Sequence, residues 1–255
     1  RPIPEKIHPS FLFHWVKTSH FISEMTRNST GANYPAVSDK TIKKHLISLP
    51  TMDEQKRIAA ILDKVDGIIE NYAKVNEILD DLISSIFIDM FGDPVTNTLD
   101  WPVYPMSEIC ETTQGIQILR SEQIEHEKSG YIRYLYISDF KNDRKLKFVS
   151  DDYPHKLVSK KDLIIANTGT PGAVFFGKMG VLSNNLFKVS FDPSLMEQFY
   201  FYHFLNSSAF QLHLESQMKQ GIQRHLGHKT FAKQSIMMPP IELQKRFKLR
   251  VERFN

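Results

Sequence analysis

From Gly172 to Met179 the chain reads Gly-Ala-Val-Phe-Phe-Gly-Lys-Met, which nearly spells a phosphate-binding loop. Such a loop cradles phosphates with backbone amides, and the hydroxyl residue after its lysine holds magnesium. Met179 stands where that Ser or Thr belongs, and Ala-Val-Phe-Phe has the character of a strand. Nucleotide chemistry is therefore not expected. His225 and His228 lie three apart, but no cysteine or acidic pair accompanies them, so a metal site has little support. Asp151 and Asp152 read as a solvated turn rather than a nuclease centre. No nucleophile elbow or Ser/His/Asp order stands out, and no catalytic residue is assigned.

What the sequence does supply is amide, hydroxyl and cationic side chains in glycine-rich turns. "TTQGIQILRS" offers Gln114, Gln117 and Arg120; "NTGTPG" offers Asn167, Thr168 and Thr170; "SNN" offers Asn184 and Asn185. "QGIQRHLGHK" adds Gln223, Arg224, His225 and Lys229, and Lys178 adds a further cation. Gln, Asn and Arg read base edges in a major groove, while Lys and backbone N–H groups hold phosphates. Any one of these residues also reads as an ordinary solvated loop residue. As a group they fit double-stranded DNA. Lys229 belongs to a repeated Lys-Thr pair, which fits a structural role equally well.

The elements that must position these residues begin with a duplication. Gln55-Lys56-Arg57 and Gln244-Lys245-Arg246 stand 189 positions apart. The same offset aligns Pro50 with Pro239, Lys40-Thr41 with Lys229-Thr230, Lys44 with Lys233, His14 with His203, Ser19 with Ser208 and Phe21 with Phe210. Register kept over such a stretch implies domain-sized repeats, too long for a solenoid. On this reading the chain opens inside one repeat and stops inside the next. That fits a piece of a longer polypeptide, or a short form completed by another subunit.

A long helix is expected over 50–91. Thr51 and Glu54 form a candidate capping box, and Gly92 with Pro94 supplies the stop. Between them Ile58, Leu62, Val65, Ile69, Tyr72, Asn76, Leu79, Ile83, Ile86 and Met90 recur in alternating steps of four and three. This is a coiled-coil seam broken only by Asn76, which either sets register against a polar partner or is an ordinary surface residue. Ile61, Ile68, Val75 and Leu82 make a second stripe. Such a helix is roughly 57 Å long at 1.5 Å per residue. It needs a mate, and the helix beginning near Pro240 supplies one.

Around it the expected organisation is α+β: a mixed, β-rich domain joined to a coiled-coil-forming helix in an internally duplicated architecture. Residues 1–49 close a first domain, 92–238 form a second, and 239–255 begin the second helix. "YIRYLYISDF" and "DLIIAN" read as strands, "TGTPGAVFFGKMG" as turn, strand, turn. "FLFHWVKTSHF" and "SLMEQFYFYHFLNSSAFQLHLESQM" each read as helical. Net charge is +3, but 1–52 carry about +4 and 53–90 about −5. An acidic helix is a poor phosphate binder, so its partners are expected to be protein. The single cysteine, Cys110, excludes an internal disulfide. With no signal peptide or long apolar run in view, a cytoplasmic protein with no membrane partner is expected.

These residues carry a family resemblance. "LPTMDEQKRIAAILDKVDGIIE" is similar to the helix start of specificity (S) subunits of type I restriction–modification systems. "FGDPVTNTLDWP" resembles that family's entry into a target-recognition domain, "VSKKDLIIANTGTPGAVFFGKMGVLSNNLFKV" its core, and "QGIQRHLGHKTFAKQSIMMPP" its exit. The resemblance spans essentially the whole chain. It departs at Leu243, which replaces the equivalent of Glu54, and in the short first domain and second helix. It implies a non-catalytic, sequence-specific DNA-recognition subunit whose domains read half-sites of a bipartite target across a helical spacer. Modification (methyltransferase) and restriction (endonuclease/translocase) subunits are then the protein partners. S-adenosylmethionine, ATP and Mg are expected only in those partners, with no cofactor in this chain. Two alternatives stand beside it: the specificity portion of a fused methyltransferase–endonuclease, and a coiled-coil interaction protein that does not bind DNA.

Overall fold

The computed structural model describes residues 2–31, 35–218 and 224–253. It divides into two compact units, Arg1–Leu79 and Asp80–Asn255, so the division falls inside the long helix. The architecture is mixed helix and sheet.

The first unit contains α1 (Pro9–Val16), α2 (Ser19–Arg27), α3 (Asp39–Lys44) and the greater part of α4 (Met52–Phe91). "FLFHWVKTSHF" is not one helix. The chain turns extended at Thr18, whose hydroxyl accepts the Phe21 N–H at 3.3 Å and so starts α2 afresh. A threonine oxygen that caps a new helix competes with continuing the old one. The α4 start is half of the expected capping box: Glu54 N–H reaches Thr51 Oγ1 at 3.4 Å, but the Glu54 carboxylate turns to Arg57 at 2.6 and 2.8 Å. Ile7, Phe11 and Ala59 make a small core. His14 Nε2 lies 2.7 Å from Asp63 Oδ1, and Lys17 lies 3.1 Å from Asp66.

Helix α4 is continuous over 40 residues, about 60 Å at 1.5 Å per residue. Gly92 closes it with φ +76°, where a Cβ would lie 2.5 Å from Thr98 Oγ1. Along the expected seam, Ile83 is buried and Ile86 and Met90 pack against the core of the second unit. Ile58 packs on the first unit's core and Leu79 is half-buried, whereas Leu62, Val65, Ile69, Tyr72 and Asn76 are exposed. In the last turns of α4 the deepest side chains are Phe87 and Phe91, four apart and outside the expected stripe.

The second unit holds the last turns of α4, then β1 (Val103–Pro105), α5 (Met106–Ile109), β2 (Cys110–Gln114), β3 (Tyr131–Leu135), β4 (Phe148–Ser150), β5 (Leu157–Val158), β6 (Leu163–Ala166), β7 (Val174–Phe175), β8 (Gly180–Leu182) and β9 (Leu186–Phe191). It continues with α6 (Gln198–Asn206), α7 (Ser208–Gln217), α8 (His228–Ala232), β10 (Ser235–Met237) and α9 (Ile241–Val251). Strands β2-β9-β6-β7 form an antiparallel sheet, and β4-β3-β8-β5 form a second in which β3 and β8 are parallel. β1 pairs with β10.

Strand β6 shows how the layers stack. Its side chains alternate faces: Leu163 and Ile165 join the main core with Phe187, Val189 and the helices, while Ile164 and Ala166 meet Leu135, Leu182 and Leu186 beneath the other sheet. Burial on both faces explains why "DLIIAN" is apolar without interruption. In the main core, Tyr200 and Phe247 close on Phe87 and Phe91 with ring centroids 4.7–5.6 Å apart. The segment expected as one helix from Ser194 is again two, because Ser207 caps α7 as Thr18 caps α2.

The duplication is written in hydrogen bonds. Buried Gln55 donates from Nε2 to the Lys6 and Pro50 carbonyls at 3.2 and 2.9 Å and accepts the His8 N–H at 2.9 Å. Buried Gln244 donates to the Leu195 and Pro239 carbonyls at 3.3 and 2.8 Å and accepts the Glu197 N–H at 2.8 Å. Each partner of Gln244 is the partner of Gln55 displaced by 189 positions.

Candidate nucleic-acid interface

Three loops meet at one end of the second unit's sheets: 115–120 after β2, 167–173 between β6 and β7, and 183–185 between β8 and β9. Their approach demands a residue without a side chain. A Cβ on Gly115 would lie 2.1 Å from the Ser183 carbonyl oxygen. Gly115 N–H reaches the Leu186 carbonyl at 2.9 Å, and Ile116 N–H reaches that of Leu182 at 2.9 Å. Buried Tyr134, its phenol pushed up to about 12 chiefly by burial, donates to the Ile116 carbonyl at 2.6 Å.

Side chains expected to contact DNA tie these loops together. Gln114 Nε2 donates to the Asn184 and Leu186 carbonyls at 2.6 and 3.2 Å. Its Oε1 accepts from Asn167 Nδ2 at 3.3 Å and lies 2.6 Å from His228 Nε2. Buried Asn167 also donates to the Asn184 carbonyl at 3.2 Å and holds Leu226 N–H on its own carbonyl. The second ring nitrogen of His228 lies 2.6 Å from Thr112 Oγ1. Burial, with His225 nearby, lowers the His228 pKa, which favours the neutral ring.

Asn184 donates to Gln117 at 3.4 Å, and Gln117, Asn184 and Asn185 are exposed. Thr168, Thr170, Asn185 and Arg224 line a cavity of about 960 Å³ together with Glu215, whose carboxylate is 3.5 Å from Arg224. Arg120, His225 and Lys229 are exposed on neighbouring segments. Lys178 is not brought into this group. It lies beyond the far end of β7, 2.6 Å from Asp143, which also receives Arg133 at 3.1 Å. Gln223 lies outside the described residues.

Thr112 and Lys156, whose Nζ donates to the Gln114 carbonyl at 3.0 Å, were not expected here. Thr112 and Gln114 stand two apart on a strand, a same-face signal present in the sequence. His228 gives no such signal toward Gln114, its partner 114 positions away. Burial pushes the Cys110 thiol up to about 12, and among the described residues no His, Cys, Asp and Glu cluster could hold a metal ion. No helix among the described residues is long and apolar enough to cross a membrane.

The family model for the type I restriction modification DNA specificity domain matches residues 1–80 and 98–251. The MjaIX specificity subunit of a type I restriction enzyme from Methanocaldococcus jannaschii is 28% identical over 183 residues, 62% of this chain and 41% of that protein. The MjaVIII specificity subunit from the same organism is 26% identical over 147 residues, 57% of this chain and 34% of that protein. The chain thus spans well under half the length of these relatives. Among solved structures, the S subunit of a type I restriction–modification system from M. genitalium superposes with a TM-score of 0.57 at 14% identity, over 99% of this chain and 69% of that one. The HsdS subunit from Thermoanaerobacter tengcongensis gives 0.50 at 20% identity, over 100% and 64%.

Proposed function

Because the chain belongs to the type I restriction modification DNA specificity domain family, we propose that it is a DNA-recognition subunit that reads one half of a bipartite target and performs no chemistry itself. The observation that carries this reading is the meeting of Gln117, Asn184, Asn185, Thr168, Thr170 and Arg224 around the three-loop end of the second unit. Amide and guanidinium tips present paired donors and acceptors to base edges. The small charge of the unit leaves specificity to these tips rather than to a basic surface.

Helix α4 acts as the spacer that separates this reader from another, because its roughly 60 Å exceeds one DNA turn of about 34 Å. Its exposed Leu62, Val65, Ile69 and Tyr72 call for a covering partner helix. Modification and restriction subunits supply methyl transfer and cleavage, with S-adenosylmethionine, ATP and Mg bound to them. Co-expression with type I modification subunits, followed by mapping of methylated genomic sites, tests the proposal. One recurrent bipartite sequence is expected. Methylation or cutting by the purified chain alone, or methylated sites without a shared sequence, overturns it.

A further inference from the structure

We propose that Gln114 and His228 do not touch bases but are positioning residues that hold three reading loops in one rigid arrangement. The inference rests on the DNA-recognition reading above and divides its residues into holders and readers.

A glutamine amide has two N–H donors and an oxygen with two lone pairs. All four capacities of Gln114 are spent inside the protein, on Asn184 O, Leu186 O, Asn167 Nδ2 and His228 Nε2. The orientation of the amide is fixed by these partners, since a flipped group would turn its oxygen toward two carbonyl oxygens. With Oε1 as acceptor, His228 carries its proton on Nε2, and its Nδ1 accepts from the Thr112 hydroxyl. A base edge could reach Gln114 only by breaking one of these bonds.

The partners belong to different loops. Asn184 and Leu186 bound the 183–185 turn, Asn167 opens the 167–173 loop, and Gln114 itself leads into 115–120. Freeing the amide therefore loosens all three at once. The tips they carry, such as Gln117 and Asn185, are exposed and remain for the DNA.

The test uses the purified chain and the duplex that the wild type enriches from a random pool. Affinity is measured for a panel in which each base pair of that duplex is replaced in turn. Gln117→Ala or Asn185→Ala is expected to flatten discrimination at one or two adjacent base pairs. Gln114→Glu and His228→Phe, the latter keeping a ring against Phe187, are expected to weaken the best duplex at least tenfold and to flatten several separated base pairs together. Thr112→Val should give the same pattern more weakly, and Thr112→Ser, which keeps the hydroxyl, should restore it. Flattening at a single base pair by Gln114→Glu would make Gln114 a reader and overturn the proposal. An unchanged discrimination pattern in Thr112→Val, Gln114→Glu and His228→Phe would reduce the network to a stability role and overturn it too. Failure of the wild type to prefer any sequence would instead overturn the DNA-recognition reading itself.

Discussion

The amide of Gln244 reaches three backbone groups at once, and no apolar side chain can replace it. Removing it leaves the buried Pro239 carbonyl and the part-buried Glu197 N–H and Leu195 carbonyl without this partner. An unsatisfied buried group costs about 1–3 kcal/mol. Gln244→Leu is therefore expected to lower unfolding free energy by about 3 kcal/mol, measured by urea denaturation, and Gln55→Leu to do the same where its own unit can be followed. A second residue makes stability depend on pH. His203 packs edge-on against Phe247 at 5.4 Å, and burial pulls its pKa from 6.5 to about 4. The folded chain holds this ring neutral while the unfolded chain protonates it below about pH 6.5. This contribution is complete above pH 6.5 and is lost as pH falls toward 4, by up to about 3 kcal/mol. Unfolding at pH 7 and pH 5 should show a smaller difference in His203→Phe than in the wild type.

At the scale of elements, the close approach at Gly115 is the point most sensitive to volume. Gly115→Ala places a methyl 2.1 Å from the Ser183 carbonyl and 2.7 Å from that of Leu182, both backbone atoms. Overpacking of this kind typically costs about 1–3 kcal/mol. The variant is expected to melt lower and to lose the register between loops 115–120 and 183–185, read as faster exchange of the backbone amides at positions 115 and 116. The same elements show what sequence alone conveys. Helix α4 was legible because its heptads, its Thr51 hydroxyl and Gly92 are all local signals. The duplication was legible because Gln55 and Gln244 make the same bonds to the same positions. The breaks at Thr18 and Ser207 were missed because an apolar period continues across them, while a single hydroxyl decides the cap. The pairing of β2 with β9 and β1 with β10 joins distant segments and leaves no local trace. The loop residues were selected by type, but that Gln114 faces inward toward His228 could not be read from type. Phe87 and Phe91 escaped because the seam was drawn for a helical mate, whereas the last turns of α4 bury into the core of the second unit.

At the scale of the molecule, the proposed function makes the chain a reader that depends on partners for chemistry. Its contact with DNA then combines sequence-specific tips with a few phosphate contacts. Arg224 is exposed, and its Glu215 partner is exposed too, so the pair adds little to stability. Arg224→Ala is expected to leave urea unfolding within about 0.5 kcal/mol of the wild type. It should weaken duplex binding severalfold and reduce the slope of log affinity against log salt by about one. The most direct measurement is selection of duplexes from a random pool by the purified chain, followed by salt titration of the recovered sequence. The account predicts one short enriched sequence whose affinity falls steeply with salt. A pool that emerges without enrichment, or binding that salt does not weaken, would contradict it.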